Sequence, residues 1–143
     1  MTRIDFYINS ENRLATLATL GAKAMRQNTR LFVLTENQEG TEKAGRYLWT
    51  QPATGFLPHC RAAGKRASVT PIIVDHVAEP VVHEQVLVNF SADCSHVFSR
   101  FERLIEIVGF DEDAKLAARA RFRFYRDRGY EIHTHDLAKP AQT

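Results

Sequence analysis

Glycine is scarce where nucleotide chemistry would demand it. None of the seven glycines falls in the turn after the first predicted strand, which reads NSENR over residues 9–13. A dinucleotide fingerprint needs glycine there, because only glycine lets backbone donors approach a phosphate closely. The one Gly-Lys pair, Gly64-Lys65, has His59 where a phosphate-binding loop has its first glycine and Arg66 where it has serine or threonine. Cysteine is equally sparse. Cys60 and Cys94 lie far apart with no partner histidine at ligand spacing, which argues against a zinc cluster and for two buried or idle thiols. No apolar run approaches the ~18 residues of a membrane span. The opening MTRIDFYIN lacks the basic start and long apolar stretch of a secretory signal, so a cytoplasmic protein without a membrane partner is expected.

What is present suits one globular domain over residues 1–143, with 44% apolar and 25% charged residues. Strands are predicted at Arg3–Asn9, Arg30–Leu34, Val69–Val77, Val86–Phe90 and Leu104–Val108, with an edge strand over Tyr130–Thr134. Helical spacing marks Leu14 to Met25, a second helix from about Thr41 to Thr50, and a last helix over Asp111–Arg128. Residues 50–68 read as a long loop, His96–Arg100 as a turn of helix, and residues 138–143 as a loose tail. This alternation predicts a three-layer α/β fold with a mostly parallel central sheet and helices on both faces.

Catalytic constellations are weak. His133 and His135 would share a strand face but lack a third ligand, and two surface polar residues are the simpler reading. His76 and His83 near Glu79 and Glu84, and Ser91 and Ser95 near Asp93 and His96, have adjacency without geometry. A non-enzymatic binding module without cofactor or metal is expected.

Charge carries more information. Net charge is +2, yet residues 112–129 hold six basic residues against three acids, a local +3. At about 100° per residue, Leu116, Ala117, Ala120 and Phe124 form the predicted packing face. Lys115, Arg119, Phe122 and Arg126 lie opposite, with Arg123 at the margin, so Phe122 is the one apolar side chain in a basic stripe. It could tuck under a neighbouring loop, stack a base of single-stranded nucleic acid, or line a pocket for an acidic peptide with an apolar end. A second adhesive stretch, YLWTQPATGFLPH (residues 47–59), contains the only tryptophan, Trp49, with Phe56, Leu57 and Pro58.

In this order and spacing, IDFYI, LWTQPATGFLPH, VLVNF and RARFRFYRDRGY resemble the chi subunit of bacterial DNA polymerase III holoenzyme over nearly the whole chain. The resemblance implies a nucleotide-binding-like topology without the phosphate loop, and a non-catalytic replication adaptor. It would link the clamp-loader complex, through the psi subunit, to the acidic, phenylalanine-ended carboxyl tail of single-stranded-DNA-binding protein. Carried over by position, the tail site would be Lys115, Arg119, Phe122 and Arg123, with Val108 lining the pocket and Arg126 meeting upstream acids. The psi-facing surface would comprise Trp49, Pro52 and Phe56, and a repair helicase is a further candidate partner there. Phe122 stands where the family has tyrosine, which keeps the ring and loses a hydroxyl. Direct DNA binding is not expected on this reading; a single-stranded nucleic-acid-binding module on the same basic face is the alternative.

Overall fold

The computed structural model describes residues 2–50, 57–77, 82–92 and 97–138. Among them run β1 (Arg3–Ile8), α1 (Arg13–Arg26), β2 (Leu31–Leu34), α2 (Gln38–Thr50), β3 (His59–Cys60), β4 (Ile72–Asp75) and β5 (Val86–Asn89). A short 3-10 turn (Phe98–Arg100) leads to β6 (Arg103–Ile107), α3 (Glu112–Asp127) and β7 (Ile132–Asp136). The strands form one seven-stranded sheet in the order β3-β4-β2-β5-β6-β1-β7. Every pairing is parallel, not merely most of them.

Parallel strands need crossover connections, and those through α1, α2 and α3 cover both faces of the sheet, which is why its strands can be apolar on either side. On one face Leu17 and Ala18 of α1 and Ala44 and Leu48 of α2 pack on Val33, Val74, Val88 and Ile105. On the other, Ala118 and Tyr125 of α3 pack with Phe98 and Phe101 on Ile4, Phe6, Phe32 and Leu87. Alternate residues of a strand point to opposite faces, so β2 divides Phe32 from Val33 between the two cores.

Four expectations need correction. α2 starts at Gln38, three residues before Thr41, because the Asn37 side chain accepts from Gly40 N–H at 2.9 Å and caps it. The predicted strand from Val69 is regular only from Ile72: Val69 and Thr70 are held in a turn by Arg66, whose carbonyl accepts both their N–H groups. The loop over residues 50–68 contains β3, two residues paired to β4, too short to show a period. Leu57, grouped with the adhesive aromatics, is instead buried beside α1, where Gly21 leaves room for its side chain. The edge strand does form, two residues later than predicted, as β7 beside β1.

Candidate functional site: a cation-rimmed pocket on the last helix

α3 begins at Asp111, whose carboxylate accepts from Ala114 N–H at 3.0 Å, and Glu112 and Asp113 follow in its first turn, where the helix dipole favours acids. Gly129, at φ +83°, closes it in the left-handed conformation that glycine adopts without cost. The face toward the sheet is not the predicted one. Ala118, Arg121 and Tyr125 are buried, whereas Leu116 is 57% exposed and Ala120 is exposed too. Phe124 is only partly buried, with the Arg128 guanidinium 3.5 Å from its ring centre.

The cause is a charge. Glu106, next to the last residue of β6, is wholly buried, and its carboxylate accepts from Arg121 Nε at 3.1 Å, Tyr125 Oη at 2.7 Å and Asn89 Nδ2 at 3.2 Å. Arg121 also donates through Nη1 to the Ala92 carbonyl at 2.7 Å. Burial raises the Glu106 pKa above 4.5, against the pull of the Arg121 charge and of the Tyr125 and Asn89 hydrogen bonds. A buried carboxylate demands such a partner, so α3 turns Arg121 inward and the apolar Leu116 outward.

This rotation brings Phe122 off the solvent side. Its ring lies 5.4 Å from that of Phe6, tilted by 59°, and packs partly against the core. The ring does not close the surface completely. It helps line a cavity of about 310 Å³ with Phe6 and Ile8 of β1, Val108 after β6, Thr134 of β7, and Ala118 of α3. Lys115 and Arg119 border the same cavity. Asn9 adopts φ +59° at the end of β1, where a nucleotide-binding turn would have glycine, and its Nδ2 donates to Asp136 at 2.9 Å, joining the cavity wall to β7.

Of the predicted tail-site residues, Val108, Lys115, Arg119 and Phe122 converge on this cavity; Arg123 and Arg126 are exposed farther along α3. Lys115 lies 4.0 Å from Glu112, and Arg126 Nη2 lies 3.3 Å from Asp127. Arg119 and Arg123 have no carboxylate within 4 Å among the described residues. Phe6, Ile8, Ala118 and Thr134 complete the wall and were not anticipated. A signal for the burial of Arg121 was present: a glutamate inside the apolar run LIEIV has to find a cation or donors.

Trp49, near the end of α2, is 67% exposed, whereas Pro52 and Phe56 lie outside the described residues. So do Glu79, Asp93, Cys94, Ser95 and His96. Ser91 Oγ donates to Asn89 Oδ1 at 2.6 Å. His135 Nε2 lies 2.8 Å from Asp5 Oδ1, and its ring stacks on Tyr7 at 4.5 Å. Cys60 is a free thiol. Among the described residues no three His, Cys, Asp or Glu side chains are grouped to hold a metal, and no helix is long and apolar enough to cross a membrane.

The fold and site thus define an α/β protein of doubly wound type, with no phosphate loop and with an apolar surface pocket edged by cations. The family model described as DNA polymerase III chi subunit, HolC, matches residues 1–133, and the chain belongs to that family. It is 30% identical to the DNA polymerase III subunit chi of Pseudomonas aeruginosa over 144 residues, covering 97% of this chain and 99% of that one. The subunit chi of Escherichia coli is 22% identical over 116 residues, covering 80% and 79%. That of Haemophilus influenzae is 23% identical over 138 residues, covering 93% and 96%. The chain is accordingly a replication accessory subunit of DNA polymerase III and not a catalytic one.

Proposed function

We propose that this chain is an adaptor in the cytoplasm that couples the clamp-loader complex, through psi, to the acidic carboxyl tail of single-stranded-DNA-binding protein. The observation that carries the reading is the 310 Å³ cavity: an apolar wall of Phe6, Val108 and Phe122 bordered by Lys115 and Arg119. Such a cavity suits one apolar side chain next to a negative charge, which is what a chain ending in phenylalanine offers. Burial of the phenyl ring contributes about 1.5–3 kcal/mol. The terminal carboxylate pairs with Arg119 and Lys115, and charge-assisted bonds of this kind are the strong ones. Upstream acids then meet Arg123 and Arg126, exposed pairings that salt screens. Trp49 anchors the second surface, with Pro52 and Phe56 beside it in sequence.

Calorimetric titration with the tail peptide, and with the same peptide lacking its last residue, tests the pocket. Saturable one-to-one binding is expected for the first and none for the second. Arg119→Glu should abolish most of the affinity with little change in folding, and normal binding by that variant would sink the assignment. An oligonucleotide titrated in parallel separates the adaptor from a nucleic-acid-binding module on the same face: binding by the isolated chain that Arg119→Glu abolishes would favour the latter.

A further inference from the structure

β1 and β6 are neighbours, yet their outgoing connections part company. β1 leaves through α1 over one face toward β2, and β6 leaves through α3 over the other toward β7. Such a divergence at the carboxyl ends of parallel strands opens a crevice, the place where open α/β sheets bind ligands. Here it holds a cavity of about 820 Å³, within the range of small-molecule sites, lined by Arg13, Lys43, Tyr47 and Phe110 among others. A smaller cavity of about 330 Å³ shares Arg13 and Phe90 with it and reaches Arg121.

The two arginines are under-used. Arg13 Nε donates to the Ile107 carbonyl at 3.0 Å, and its guanidinium lies 4.5 Å from the Phe90 ring centre, which fixes the fork. Its two Nη groups have no hydrogen-bond partner among the described residues, and no described carboxylate comes within 4 Å. Arg121 spends Nε on Glu106 and Nη1 on Ala92, and its Nη2 has no hydrogen-bond partner among the described residues. Burial and then the charge of Arg121 depress the Arg13 pKa, with Glu106 opposing, so two cations share the field of one buried carboxylate. Four carboxylates line the two cavities: Glu36 accepts from Ala92 N–H at 2.6 Å and Asp111 from Ala114 N–H at 3.0 Å, while Glu11 and Asp113 are exposed.

We propose that this crevice binds a nucleotide, its phosphate on the Nη groups of Arg13 and Arg121 and its base against Tyr47 and Phe110. Guanidiniums supply the fork that suits phosphate oxygens, in place of the backbone donors that a glycine-rich turn would provide. Phe110, 50% exposed, and the partly buried Tyr47 present ring surface to a base. Carboxylate oxygens of Glu11 and Glu36, which line the same cavity, are acceptors for sugar hydroxyls. The crevice borders the tail pocket, sharing Gly109 with it and, through the smaller cavity, Val108, but its arginines are different ones, so it stands whether or not the tail binds there.

The test is an amide-resolved NMR titration of the full chain with inorganic phosphate, adenosine, adenosine 5′-monophosphate and a 5′-phosphorylated dinucleotide. The monophosphate should shift the amides of Arg13, Phe110 and Ser91 and bind more tightly than phosphate or adenosine alone. A dinucleotide that binds more tightly still points to strand ends as the source, and the reverse points to free nucleotides; either upholds the site. Arg13→Gln should weaken binding by about tenfold or more, as loss of charge-assisted hydrogen bonds entails, and Arg119→Glu should leave it unchanged. Arg13→Lys, which keeps the charge and loses the fork, should give an intermediate loss and carries the test if the glutamine variant does not fold. The proposal is overturned if the monophosphate leaves the crevice amides unmoved, or if its binding is lost with Arg119 rather than with Arg13.

Discussion

Replacing Arg121 with methionine isolates the interaction that sets the rotation of α3. Glu106 is fully buried, and Arg121, at 3.1 Å, is its one ionic partner among the described residues. Methionine retains much of the aliphatic stem, so the change removes the charge together with its hydrogen bonds to Glu106 and to the Ala92 carbonyl. Breaking one half of a buried pair costs about 3–5 kcal/mol. With a urea dependence of about 2 kcal/mol per molar, the unfolding midpoint should fall by about 2 M. The pH dependence has a definite sign. Burial holds the folded pKa of Glu106 above 4.5 despite Arg121, Tyr125 and Asn89. The folded state therefore keeps its proton longer than the unfolded chain, and the stability contributed by the protonated acid, present below pH 4.5, is lost as pH rises through the folded pKa. Without Arg121 that pKa rises further, so the variant should lie nearest to the parent at about pH 5 and farthest from it at about pH 8. Adding Glu106→Met removes both charges and should restore most of the loss. Urea unfolding followed by circular dichroism at the two pH values decides the matter. A loss below about 1 kcal/mol at both, or a larger one at the lower pH, would refute a charged pair as the device that orients the helix.

Phe122→Ala should cost about 1–2 kcal/mol, less than the 3–5 of a fully buried ring, and should abolish tail binding; Phe122→Tyr should keep both, as thermal unfolding and titration would show. Trp49→Ala, at an exposed position, should change stability by no more than about 0.5 kcal/mol while psi association, read by co-purification, disappears and tail binding persists. Asp5 offers an acid-side test. Its burial favours the neutral form, but hydrogen bonds from His135 and Arg103, with the charges of Arg103 and Arg3, outweigh this and hold its pKa below 3.8. Its contribution is complete above pH 3.8 and is lost as pH falls through the folded value, so Asp5→Asn should be costly near neutrality and flatten the acid limb of the stability curve.

Strand order along the chain, the three helices and the absent phosphate loop were legible because each is a local matter: apolar runs, helical spacing, and glycine present or missing in one turn. The family was legible for the same reason, through a tryptophan-proline-phenylalanine segment and an arginine-rich helix end. Lys115, Arg119 and Phe122 could be grouped by helical spacing alone. What spacing could not decide was how α3 is turned. Hydropathy counts Arg121 as a surface residue and Leu116 as a core residue, whereas Glu106, fifteen positions away on β6, reverses both. Nor could it assemble the pocket, whose wall joins Phe6 near one end of the chain to Thr134 near the other through the parallel pairing of β1 with β7. Local sequence determines which elements form and what they carry; pairing of buried charge and register between distant strands, both energies of contact, determine which side chains meet.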